Sequence, residues 1–261
     1  MPKQGFFNSV LSGVRERYEQ SLLEDVKKDP LPKHIAVIMD GNRRFAKQLH
    51  ESIDKGHLLG KERLEDFLDW AYDIGIKIVT VYAFSTENFK RDSEEIDYLM
   101  NLYANSFNDL IKDERISKNR IRVRLIGKTE LLPESLREAA RNAEEFTKNF
   151  EKYLLNVAIA YGGREEILDA IKKISKEVKT GSLDPENINE KLIEKYLYTG
   201  EIEDPDLIIR TSGEERISNF LLWQSAYSEL YFTDVYWPDI TKLDLLKAIR
   251  DYQKRQRRYG K

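Results

Sequence analysis

The apolar run 35–39 ends in Asp40-Gly41-Asn42-Arg43-Arg44-Phe45. Burial at that point would penalise the carboxylate unless a cation or hydrogen-bond donors compensate it. Gly41 permits a sharp turn, and a helix opening near Asn42 would present free backbone N–H groups to an anion such as a phosphate. Arg43 and Arg44 would reinforce such a site through charge-assisted hydrogen bonds, with Asp40 placed to hold a divalent cation against the phosphate oxygens. The same hexapeptide also fits an N-capping Asp followed by surface arginines.

A second anion feature lies far along the chain, where Arg210 closes another apolar run and Arg216 and Ser218 follow the turn Thr211-Ser212-Gly213. A guanidinium at the end of a buried strand needs acceptors wherever it is desolvated. Two phosphate pockets are therefore expected, the alternative being a structural salt bridge from Arg210 to Glu214 or Glu229. Glu229 is also the candidate for a second oxygen ligand to a metal at Asp40. Magnesium suits such a site, because it takes one or two carboxylates, diphosphate oxygens and retained waters.

These residues must be positioned by a framework, and the chain alternates short β-branched runs with longer helical patterns, as βαβ units do. The runs 34–39, 77–84, 121–126, 154–160, 206–210 and 230–233 read as strands. Helical patterns fall near 42–73, 93–115, 134–151, 164–179, 188–197, 218–226 and 241–256. The expectation is one α/β domain over 33–261, with a six-stranded mostly parallel sheet flanked by helices. In such sheets ligands gather beyond the carboxyl ends of the strands. Ser85-Thr86-Glu87-Asn88-Phe89-Lys90-Arg91 and Tyr161-Gly162-Gly163-Arg164 would join the same rim. Residues 1–32 form an extension in which Phe6, Phe7, Val10, Leu11, Val14, Leu22, Leu23 and Val26 recur at helical intervals. That amphipathic helix either docks on the domain, which its balanced charge favours, or lies on a membrane surface.

Composition narrows the classes of function. Across 261 residues, 43 Lys and Arg face 46 Asp and Glu, a formal charge of −3, which argues against bulk nucleic-acid binding. The chain has no cysteine, so thiolate chemistry, disulfides and Cys-ligated metals are excluded. With three histidines, His34, His50 and His57, any metal should be hard and oxygen-bound. No run approaches the roughly 20 apolar residues that span a bilayer, and no signal-peptide pattern opens the chain, so the expected location is cytoplasmic, with peripheral membrane association left open. The segment 56–62 falls one residue short of a P-loop, and neither G-x-G-x-x-G nor G-x-S-x-G nor H-E-x-x-H is present.

Four segments carry a family resemblance: HIAVIMDGNRRFAK at 34–47, YAFSTENFKR at 82–91, NVAIAYGGRE at 156–165, and DLIIRTSGEERISNFLLWQSAYSELYFTDVYWP at 206–238. Together, in this order, they resemble the cis-prenyltransferases, the undecaprenyl diphosphate synthase family, over roughly residues 33–260. The resemblance implies condensation of isopentenyl diphosphate onto an allylic diphosphate primer, with new cis double bonds, to build a polyprenyl glycan-carrier lipid. It implies that Gly41, Asn42, Arg43 and Arg44, with His57 nearby, meet the primer diphosphate, and that Phe45 and Phe89 take aromatic positions usually held by tryptophan. Arg210, Arg216, Ile217 and Ser218 would bind isopentenyl diphosphate. Asp40 and Glu229 match magnesium-associated carboxylates. Ser85 and Asn88 match the polar pair beside the reacting carbons, and Thr86, Glu87 and Arg91 complete that segment. The bacterial members' second arginine before the family histidine aligns here with Ile53, which puts primer preference in question. Arg258-Tyr259-Gly260 matches the family's C-terminal R-x-G pattern, implying a homodimer. A noncatalytic partner subunit is the alternative within the family, and the joint presence of Asp40, Asn42, Arg44, Asn88, Arg210 and Arg216 argues against it.

The apolar residues of 93–115, Ile96, Leu99, Met100, Leu102, Tyr103, Phe107, Leu110 and Ile111, are the expected wall of a hydrocarbon cleft, with Val123 and Leu125 facing it.

Overall fold

The computed structural model describes residues 3–200 and 202–255, and only the backbone of residues 3–12, 14 and 15. Six strands form one sheet: β1 (His34–Ile38), β2 (Ile78–Ser85), β3 (Ile121–Ile126), β4 (Tyr153–Tyr161), β5 (Leu207–Arg210) and β6 (Glu229–Phe232). Their order is β3-β4-β2-β1-β5-β6, and every pairing is parallel. All five residues of the central β1 are buried, as expected of a strand covered on both faces. Ile35 and Val37 enter one core layer with Val79, Val81, Leu207 and Ile209; Ala36 and Ile38 enter the other with Tyr82, Ala158 and Ile208.

Helices cover both faces: α1 (Lys3–Val26), α2 (Asn42–Gln48), α3 (Ile53–Ile74), α4 (Ser93–Lys112), α5 (Glu114–Lys118), α6 (Glu134–Thr147), α7 (Gly163–Lys179), α8 (Glu190–Tyr196) and α9 (Lys242–Lys254). At the end of α1, Leu22 and Val26 are buried in the main core, with Leu23 packed against it. Gln253 of α9 donates to Val26 O at 2.8 Å. This end of the extension docks on the domain. The side chains of Phe6, Phe7, Val10, Leu11 and Val14 lie outside the described residues.

Three helical expectations are corrected. The pattern 42–73 is two helices, because His50 takes a left-handed φ of 57° and Ser52 caps the second, accepting from Lys55 N at 3.2 Å. The pattern 93–115 breaks at Asp113, whose extended backbone ends α4 while its carboxylate accepts from Arg115 N at 2.8 Å and starts α5. The pattern 218–226 is a series of turns, not a helix: Ser218, Asn219 and Leu221 have φ of 47°, 63° and 44°. Asn219 is held there by contacts a helix would not allow, donating to Glu87 Oε1 at 3.0 Å and accepting from Arg164 N at 2.9 Å.

Candidate active site

The register puts Ile38 beside both Tyr82 and Arg210, so the residues after β1, β2 and β5 meet at one carboxyl-end rim. Asp40 is fixed there through its backbone: its N–H donates to Thr211 Oγ1 at 3.0 Å, and its carbonyl accepts from Thr211 Oγ1 at 2.6 Å and from Trp237 N at 3.0 Å. Its carboxylate accepts from Arg210 Nη2 at 2.8 Å and from Arg44 Nη2 at 3.3 Å. Burial pushes the Asp40 carboxyl up, but the hydrogen bond and charge of Arg210, with Ser212 and Arg44 adding, hold it below the usual carboxylate range. Asp40 therefore stays ionised at neutral pH. It does not cap a helix; Gly41 occupies the N-cap of α2, at φ 109°, where an added Cβ would lie 2.8 Å from Tyr236 Cδ1.

Arg210 is buried, and its acceptors are Asp40, Ser218 Oγ at 2.7 Å and Arg216 O at 2.5 Å. Neither carboxylate of the structural alternative reaches it. Glu214 pairs with Arg44 and Arg216, and Glu229 with Arg255 Nη1 at 2.9 Å. Arg210 Nε has no acceptor and Asn42 Oδ1 no donor, although both atoms are buried. Buried polar atoms without partners at the edge of a cavity are the groups a ligand or its waters would satisfy.

That cavity has a volume of about 620 Å³. Its polar end carries Asp40, Asn42, His57, Ser85, Glu87, Asn88, Arg91, Arg210 and Ser218. Its apolar part runs between α3 and α4 over the sheet, past Leu64, Leu68, Leu99, Leu102, Tyr103, Phe107 and Leu110, with Phe84, Leu155, Val157 and Ile159 beneath. Each methylene placed there is worth about 0.8 kcal/mol. Ile96, Met100, Ile111 and Val123 face the core between α4 and α6 instead, and Leu125 packs against it.

The remaining expected residues take different stations. Gly41, Arg43, Arg44, Phe45, Thr86, Phe89, Arg216 and Ile217 do not line the cavity. Phe45 is buried, Phe89 packs edge-on against Phe84 at 4.9 Å, and Ile217 packs against the core beside Phe220. Arg44 stands behind Asp40, also donating to Ser212 Oγ at 2.5 Å. Ile53 is the first residue of α3 and is exposed, which leaves no phosphate contact at that station. Glu229 is not brought to Asp40: it sits beside Leu207 at the start of β5, about three strand residues, or ~10 Å, from the Arg210 end. A metal shared by Asp40 and Glu229 of one chain does not fit this register. No cluster of three metal-ligating side chains exists among the described residues. The Arg258-Tyr259-Gly260 segment lies outside the described residues.

Two features were hidden from sequence reasoning. Glu95, buried in the first turn of α4, accepts from Arg91 Nη1 at 2.9 Å, meets His57 Nε2 at 3.1 Å and lies 3.8 Å from Arg43 Nε. Only its spacing of four from Arg91 is a sequence signal; His57 comes to it through the fold. Burial draws the His57 imidazole below its ordinary value despite Glu95, so it is neutral at pH 7. The second feature is the packing of Gly56 and Gly60, which the near-P-loop pattern disguised. A Cβ on either would lie 2.5 Å from Asn42 oxygens, so these glycines let α2 and α3 touch and seat the Asn42 side chain.

A charged rim with two unpartnered buried polar atoms opens into a hydrocarbon-lined chamber on a parallel α/β sheet. A family model described as "Putative undecaprenyl diphosphate synthase" matches residues 38–260. The chain is 58% identical over 244 residues to a tritrans,polycis-undecaprenyl-diphosphate synthase (geranylgeranyl-diphosphate specific) of Thermoplasma acidophilum, covering 94% of this chain and 95% of the relative. It is 55% identical over 252 residues to the enzyme of the same description from Methanocaldococcus jannaschii, covering 96% and 90%. Lavandulyl diphosphate synthase from Lavandula x intermedia, solved with dimethylallyl diphosphate, superposes with a TM-score of 0.85 at 37% identity, over 88% of this chain and 99% of that one. The chain belongs to the undecaprenyl diphosphate synthase family. It is a cis-prenyltransferase, a catalytic polycis-prenyl diphosphate synthase and not a noncatalytic subunit.

Proposed function

We propose that this chain condenses isopentenyl diphosphate repeatedly onto geranylgeranyl diphosphate, giving an undecaprenyl-class diphosphate that serves as precursor of a glycan-carrier lipid. The observation that carries the reading is the Asp40–Arg210 pair at the mouth of an apolar chamber. The primer is inferred from the printed specificity of relatives that match nearly the whole chain. Ile53, in place of an arginine, is consistent with a primer held more by its hydrocarbon than by its phosphates.

In this reading Arg210, Ser218 and Arg216 bind isopentenyl diphosphate, and Asn42, with Arg43, Arg44, His57 and Arg91, receives the primer diphosphate. Asp40 is the carboxylate that would hold magnesium beside a bound diphosphate. Bound there, the metal supplies positive charge to the departing diphosphate. As the primer's allylic C–O bond breaks and diphosphate departs, the double bond of isopentenyl diphosphate attacks that carbon, and a proton from the new unit passes to the departing diphosphate or to water. The arginines stabilise the charge gathering on the leaving group. Asn88 accepts from Ser85 N at 3.0 Å through Oδ1, which turns its amide into a donor that orients a diphosphate or water and not into a base. The apolar wall keeps water from the cationic carbon.

The active form is proposed to be a homodimer, held at a membrane surface at most peripherally; no helix among the described residues is long and apolar enough to cross a membrane. Purified chain supplied with labelled isopentenyl diphosphate, magnesium and allylic primers of increasing length tests the reading by mass spectrometry. Geranylgeranyl diphosphate should give the highest kcat/KM, and absence of extended product from every primer would overturn the function.

A further inference from the structure

The chamber wall between α3 and α4 is stitched by polar groups along its length. Tyr98 Oη donates to Asp54 O at 3.1 Å near the mouth, followed by His57–Glu95 at 3.1 Å. Deeper, Lys61 Nζ bridges Glu65 at 3.1 Å and Asp109 at 3.7 Å. Past that point Arg115 of α5 reaches back to Glu65 at 3.2 Å and Asp69 at 2.9 Å while holding Asp113 at 2.7 Å. Lys61, Glu65, Asp109 and Asp113 also line the chamber. A permanent boundary to hydrocarbon would be apolar. Here it is made of charges whose heads reach water, with side chains 28% exposed at Lys61, 63% at Asp109 and 46% at Arg115. An exposed pair taken singly contributes little; here Lys61 and Arg115 share Glu65, so the contacts act as one network that holds the seam more firmly than any pair in it. A cavity of about 620 Å³ also falls within the range of ~300–1,000 Å³ that encloses a drug-sized ligand, not a hydrocarbon lengthened by many units.

We propose that the α3–α4 seam is a side exit for the growing prenyl tail, and that the ion pairs Lys61–Asp109 and Arg115–Glu65/Asp69 set the product length at which elongation stops. The inference rests on the elongating activity proposed above. While the tail fits the chamber, each added unit is buried and growth is favoured. Once the chamber is full, the tail must part the ion pairs and meet water, so a firmer seam gives shorter products and a looser one longer products.

Because the chain has no cysteine, D69C/R115C introduces the only two thiols. A reducible bis-methanethiosulfonate reagent links the two thiols without requiring the Cα separation of at most about 7 Å that a direct disulfide needs. The cross-linked enzyme should perform the first condensation at the rate of its reduced form but yield shorter final products, and reductant should restore the longer distribution. Arg115→Gln should shift wild-type products upward in length, as should high salt, which screens exposed charges. Identical product spectra for linked and reduced enzyme would overturn the proposal, and so would an unchanged spectrum in R115Q if the double variant does not fold. A wild-type enzyme that makes no extended product would instead defeat the underlying function.

Discussion

Asp40→Ala separates the catalytic role proposed for the carboxylate from its structural one. In the free enzyme the carboxylate neutralises Arg210 and Arg44 at 2.8 and 3.3 Å. Removing one partner of a fully buried pair costs about 3–5 kcal/mol. Here the cost should be smaller, about 1–2 kcal/mol, because Asp40 is 29% exposed and Arg210 keeps Ser218 Oγ and Arg216 O as acceptors. The chain should therefore fold. Turnover should fall by about 10²–10³, the usual loss when one preorganised electrostatic contact to a leaving group is removed. Binding of inorganic pyrophosphate without metal should strengthen. Two like charges about 6 Å apart repel by about 3 kcal/mol at an effective dielectric of about 20, which caps that gain near a hundredfold. Calorimetric titration with pyrophosphate, with and without magnesium, beside single-turnover kinetics measures both effects. A folded variant that retains wild-type turnover, or one whose metal-free pyrophosphate affinity drops, would refute the reasoning.

Stability should depend on His34, whose burial pushes the imidazole down to about 4 from 6.5. Its Nδ1–H donates to Glu203 O at 2.6 Å and its Nε2 faces Thr80 Oγ1 at 2.7 Å, so the fold holds the neutral ring. The stability this supplies is complete above pH 6.5 and is lost as pH falls toward 4, a change of about 3 kcal/mol. Asp204, raised to about 6 by burial, works in the opposite sense over part of this window. Urea unfolding of wild type and His34→Gln from pH 7 to 4 isolates the histidine, and parallel curves would remove its role. Gly60→Ala should destabilise the chain by about 1–3 kcal/mol through overpacking against Asn42 and raise KM for the primer more than for isopentenyl diphosphate. Thermal melts and steady-state kinetics check it, and an unchanged primer KM would show that Asn42 is not seated by this contact.

The strands were legible because both faces of a parallel sheet are buried, which leaves apolar runs such as 34–39 that only a covered strand explains. The rim residues followed from strand ends, and the approach of Asp40 to Arg210 came with them. What sequence could not show depended on side chains meeting across distant elements. The turns at 218–226 look helical by spacing, yet Asn219 is committed to Glu87, Glu165 and Arg164. Glu229 precedes the strand read at 230–233, and the parallel pairing of β6 with β5 sets that end beside Leu207, away from the rim that carries Asp40. Glu95 draws His57 from 38 residues away, a distance at which no periodicity speaks.

The anchoring of α3 is lopsided. On one flank it is wedged against α2 at Gly56 and Gly60, and Trp237 ties it down through a hydrogen bond to Gly60 O at 2.8 Å and a ring contact with Phe67 at 5.4 Å. Its other flank meets α4 through the buried His57–Glu95 contact at the mouth and, beyond it, is held to α4 and α5 by solvent-facing charges. A container built with one welded wall and one buttoned wall cannot swell evenly. Differences in capacity between homologous enzymes should therefore arise from substitutions on the buttoned side, since the welded side also seats Asn42, the residue proposed to receive the primer diphosphate.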